Sequence, residues 1–160
     1  MMRAGVISAG ALLVAACQPA PAKAPAREGT PVVTDPAAIN PVVHFEIPVT
    51  DMDRAVRFYE AVFGVKLDRR ETDGYDMAFF PRADGRPGAS GALAKGDVYK
   101  PTRDGAILYF DVPDIDAVIA RAQTQGGAVL YPKKDIGEAG FVAEIADSEG
   151  NRIALAQAAE

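Results

Sequence analysis

The sequence predicts an α+β fold built from two βαβββ modules, and three observations predict it. An apolar strand segment runs into an acid-headed helix start twice. Val43-His44-Phe45-Glu46-Ile47 leads to Thr50-Asp51-Met52-Asp53, and Leu108-Tyr109-Phe110-Asp111-Val112 leads to Pro113-Asp114-Ile115-Asp116. The helix starts, 51 and 114, and the glycines that close the helices, 64 and 127, are both 63 residues apart. A constant offset of this length marks duplication. After each glycine the helical pattern gives way to short apolar runs bounded by turn residues, three to a half.

The first forty residues lie outside this pattern. Met1 to Arg3 give a short positive start, and Ala4 to Ala16 form an apolar run that stops at Cys17, the single cysteine. This is a signal-peptide layout over residues 1–16, too short to span a bilayer as a mature helix. Val14-Ala15-Ala16-Cys17 resembles the lipobox of bacterial lipoproteins. That resemblance implies lipidation (diacylglyceryl and palmitate-type chains) at Cys17, an extracytoplasmic, membrane-anchored protein and, with Gln18 next, the periplasmic face of the outer membrane in a Gram-negative cell. Residues 17–40 are rich in Pro and Ala. Proline favours extended geometry, so a semi-rigid tether is expected, with the folded domain over 41–158.

The elements follow in order. Strands are expected over about 42–48, 65–70, 75–81 and 89–95 in the first half, and over 105–112, 128–133, 139–147 and 151–157 in the second. The first helix carries Ala55, Phe58, Tyr59, Val62 and Phe63 on one stripe, with Arg54, Arg57 and Glu60 outside it. The second uses Ile115, Val118, Ile119 and Ala122 in the same way. Acidic residues in each first turn complement the helix dipole. Asp73-Gly74 and Glu149-Gly150-Asn151 are turn signals.

Three stretches, His44-Phe45-Glu46-Ile47-Pro48-Val49-Thr50-Asp51, Phe58-Tyr59-Glu60-Ala61-Val62-Phe63-Gly64 and Asp147-Ser148-Glu149-Gly150-Asn151-Arg152-Ile153, resemble the vicinal-oxygen-chelate superfamily. That superfamily contains glyoxalase I, extradiol dioxygenases and the bleomycin and fosfomycin resistance proteins. Gly88 to Leu93 and Pro132 to Glu138 further resemble its lactoylglutathione-lyase-related branch. The resemblance covers about 41–157. It implies a glyoxalase-like fold in which the two modules curl a mixed sheet into a cup around a metal, with ligands on the first and last strand of each half. It also implies a homodimer as one assembly state.

Period-two alternation places these positions. Phe45 and Ile47 should face the helix, leaving His44 and Glu46 toward the cup; Phe110 and Val112 leave Tyr109 and Asp111. This reading pairs His44 with Tyr109 and Glu46 with Asp111 across the halves. On the last strands Leu93 and Leu155 are helix-facing anchors, which puts Ala92 and Ala154 where the family has carboxylates. Only His44 then remains of four ligands, whereas a catalytic divalent site needs about three. No cofactor is therefore expected, a divalent metal at His44 and Glu46 being the exception left open.

The cup has other uses. His44 is the only histidine, and an imidazole beside carboxylates can act as general acid or base, with Glu46 or Asp111 orienting it and Tyr109 donating to a substrate oxygen. Met77, Phe79 and Phe141 are candidate ligand-binding walls, and Arg82 and Arg86 lie in a loop able to serve as a positive lid. Three functions stay open: a small-molecule-binding lipoprotein, a lyase or isomerase using His44, and a structural lipoprotein with a vestigial pocket. The net charge of −5, with no basic run interleaved with aromatics, speaks against nucleic acid as a partner.

Overall fold

A computed structural model describes residues 42–83 and 88–159. Cys17, the 17–40 tether and Arg86 lie outside the described residues. The fold is the expected one. In chain order it comprises β1 (His44–Pro48), α1 (Met52–Phe63), β2 (Asp68–Thr72), β3 (Tyr75–Phe79), β4 (Ser90–Lys95), β5 (Leu108–Asp111), α2 (Ile115–Thr124), β6 (Ala128–Asp135), β7 (Phe141–Ala146) and β8 (Arg152–Gln157). The strands form two four-stranded sheets, β1-β4-β3-β2 and β5-β8-β7-β6. In each the first strand runs parallel to the last, and the other pairs are antiparallel.

Local chemistry explains the boundaries. Asp51 caps α1 by accepting from Arg54 N at 3.0 Å, and Gly64 ends it at φ 67°, a left-handed position glycine adopts without penalty. Asp114 caps α2 through Ala117 N. Asp73 and Gly74 both have positive φ, as a tight two-residue hairpin turn requires. β2 starts at 68 rather than 65 because the preceding segment is tied to the helix: Glu60 accepts from Leu67 N at 3.0 Å and pairs with Lys66. β7 starts at Phe141 rather than 139 because residues 137–139 form a 3-10 turn closed at Gly140.

One core serves both modules. Phe58, Tyr59 and Val62 of α1, Ile115 and Val118 of α2, Leu93 and Leu155 all belong to it. Phe45, Phe63, Phe80 and Phe110 pack against it as a chain of rings, with Phe45 and Phe110 6.0 Å apart and Phe63 and Phe110 4.6 Å apart. Burial of these side chains is the main stabilising term.

The β7–β8 turn clasps the modules together. Asp147 accepts from the buried Tyr59 hydroxyl at 2.8 Å and from Asn151, whose amide also donates to Pro48 O. Glu149, its side chain fully covered, accepts from Thr50 N, Thr50 Oγ1, Asp51 N and Arg54. Burial opposes its ionisation, but the bonds from Arg54 and Thr50 outweigh this and bring its pKa down to about 2. Burial and the neighbouring Asp147 push the Tyr59 phenol well above its ordinary value.

Candidate functional site

The pleat turns the expected faces outward. Phe45, Ile47, Leu108, Phe110 and Val112 belong to the helix-side core. His44, Glu46, Tyr109 and Asp111 point away from it and are exposed. Ala92 pairs with Glu46, and Ala154 with Tyr109, in parallel register, so both methyl groups share the face away from the helices. Ala92 sits there in a separate small cluster with Met77 and Ala94.

The equivalence between halves needs correction. Val49 N donates to Ala94 O and Val112 N to Ala156 O, while Ile47 pairs with Leu93 as Phe110 pairs with Leu155. Glu46 therefore corresponds to Tyr109, not to Asp111, and the counterpart of His44 is Ile107, not Tyr109. The slip is two residues, so it preserves the face and changes only the row. The four places on the first and last strands hold His44, Ile107, Ala92 and Ala154. Three of the four offer no donor atom. Among the described residues no group of three His, Cys, Asp or Glu side chains is placed to hold a metal ion. The residues present do not fit the family's metal.

The four acid–base candidates fall into two sets. In the first sheet His44 Nε2 lies 3.5 Å from Glu46 Oε1. Glu46 Oε2 accepts from the Tyr99 hydroxyl at 2.7 Å, and this bond, with some burial, raises the phenol to about 12. Tyr99 belongs to the link between modules and packs edge-on against Tyr75 at 5.3 Å. In the second sheet Tyr109 and Asp111 line a cavity of about 470 Å³ with Phe80, Ser90 and Phe110. His44 lines a different cavity of about 450 Å³, with Lys66, Asp68, Arg70, Phe79 and Arg82. The two cavities share Phe80, Pro81 and Ser90.

The three aromatic or apolar walls also separate. Phe79 lines the His44 cavity, its ring 6.4 Å from the imidazole and 3.9 Å under the Arg70 guanidinium. Met77 is buried beneath Tyr75, Phe79 and Tyr99 and lines neither cavity. Phe141 packs against the helix-side core and borders a separate cavity under Lys133, because β7 buries its odd-numbered side chains on that side. Sequence reasoning missed Tyr99, which no periodic pattern marks. It also missed the Glu144–Arg152 pair, 3.3 Å apart on β7 and β8, although strand alternation alone would have put both on the outward face.

Comparison with known proteins agrees with this fold. The model of the glyoxalase/bleomycin resistance protein/dioxygenase superfamily matches residues 42–155. A protein designated a glyoxylase, CFP32 of Mycobacterium bovis, is 31% identical over 144 residues, covering 86% of this chain and 49% of the relative. The chain thus spans about half the length of the curated relatives it matches. TnmS3, an antibiotic binding protein from Streptomyces sp. CB03234, superposes with TM-score 0.55 at 28% identity, covering 76% of this chain and 98% of that one. An E144Q mutant of glyoxalase I from Zea mays superposes with TM-score 0.59 at 21% identity, covering 74% of this chain and 46% of that one.

Proposed function

This chain belongs to the glyoxalase/bleomycin resistance protein/dioxygenase superfamily, and from that membership we propose that it is a small-molecule-binding member taking its ligand beside His44 in the first module, without a metal. The observation that carries the reading is the donor set: His44, Ile107, Ala92 and Ala154 occupy the four places, and a divalent ion needs about three donors. The His44 cavity, about 450 Å³, has the size of a small-ligand site. The antibiotic-binding relative, similar over nearly its whole length, supports a binding role on this scaffold. A thermal-shift screen of small molecules tests it. A saturable rise in Tm that survives chelator and is lost in Phe79→Ala, with no turnover of the ligand, is the expected result; a shift abolished by chelator contradicts it.

One observation favours a second reading, a lyase or isomerase. The Tyr99 hydroxyl donates to one oxygen of Glu46 at 2.7 Å while the other lies 3.5 Å from His44 Nε2, so that a small approach would let the carboxylate orient the imidazole as a general base. Here His44→Gln removes turnover of a carbonyl substrate while the fold survives.

Lipid anchoring through Cys17 belongs to the proposal and rests on sequence alone. No helix of the described residues is long and apolar enough to cross a membrane. Incorporation of labelled palmitate, lost in Cys17→Ser, is the expected outcome.

A further inference from the structure

The His44 cavity has a charge opposite to that of the chain. The protein carries a net charge of −5, yet Lys66, Arg70 and Arg82 line this cavity against Asp68 alone. Lys66 is committed to Glu60. Arg70 pairs with Asp68 on its own strand while its guanidinium lies over the Phe79 ring. Both members of that pair are more than half exposed, and such pairs contribute little. An incoming anion can therefore replace Asp68 at little cost. The Phe79 ring holds the guanidinium carbon 3.9 Å above its face, and once Asp68 is displaced the N–H groups are open to a planar, two-point acceptor. Arg82 has no partner among the described residues and stands at the same rim. Phe79, Phe80 and Pro81 supply an apolar wall beside these charges.

We infer that this cavity recognises its ligand by an anionic group, a carboxylate or a phosphate, carried on an apolar or aromatic body. The inference rests on the reading of this cavity as the ligand site and names the ligand class. Arg70 receives the anion, Arg82 adds the second cation, and the Phe79–Pro81 wall takes the body.

Heteronuclear NMR of the full chain, following the backbone amides of Phe79, Arg82 and Ser90, tests it with benzoate, phenyl phosphate, inorganic phosphate, benzyl alcohol and benzylamine as probes. Benzoate and phenyl phosphate should shift these amides saturably and bind roughly tenfold or more tighter than benzyl alcohol, with benzylamine weaker still. Added salt should weaken the aryl anions. Arg70→Gln should lose about tenfold in their affinity while the rest of the spectrum is unchanged; Arg82→Gln should lose less. Equal binding of benzoate and benzyl alcohol, or no effect of Arg70→Gln, overturns the anion inference and leaves the cavity reading standing. Inorganic phosphate binding as tightly as phenyl phosphate overturns the role of the apolar body. If no probe moves these amides, the cavity reading falls and the inference with it.

Discussion

Glu149 shows how one carboxylate couples two halves of a duplicated fold. It comes from the second module, and its oxygens satisfy the N-terminal turn of α1 in the first. Its pKa is lowered from 4.5 to about 2, so the folded state binds its proton less readily than the unfolded chain. That stabilisation is present above about pH 4.5 and is lost as pH falls toward 2. Glu149→Gln should cost roughly 2 kcal/mol at neutral pH, and urea unfolding should show the difference from wild type shrinking through the same window. Tyr99 has the opposite sense. Its phenol is raised from 10.0 to about 12 by Glu46, so its contribution is present below pH 10 and is lost as pH rises through 12. In an ultraviolet titration Glu46→Gln should bring one phenol back toward 10. If the late ionisation is unchanged, Tyr99 does not bond to Glu46.

Among the elements, β4 is closely packed, with Gly91 to Ala94 all buried. Gly91 faces Phe45, and an added Cβ would meet Phe45 O at 2.2 Å and the ring at 2.4 Å, so Gly91→Ala should lower stability by about 2 kcal/mol or more. On β8, Leu155 is fully buried, and Leu155→Ala should cost about 2–5 kcal/mol. Chemical denaturation measures both. Strand faces were legible in the sequence because alternation is strict: Phe45 and Ile47 are core, His44 and Glu46 are not. Rows were less legible. Pairing His44 with Tyr109 kept parity and slipped two residues, although the constant 63-residue offset already pointed to Ile107. β2 was placed too early because Val65 and Leu67 are apolar, and nothing local reveals that Glu60 holds Leu67 N against the helix end.

For the whole molecule, the two modules share one apolar core and a polar clasp, so unfolding should be a single cooperative transition. The duplication, helix stripes and superfamily resemblance made this architecture readable in advance. The partition of the acid–base candidates between two cavities was not readable, because it depends on how β1 and β5 sit beside each other. Phe141 was assigned to a cup wall, and the structure puts it on the helix side with Ala143 and Ile145, because β7 pairs Ala143 with the helix-facing Leu155. Ile107, Ala92 and Ala154 leave the site poor in donor atoms. Metal content of the purified chain, measured after incubation with nickel, zinc, manganese and iron salts and desalting, tests it most directly. Well under one ion per chain is expected, with His44→Ala no different from wild type. One tightly held ion per chain, released by His44→Ala, would contradict it.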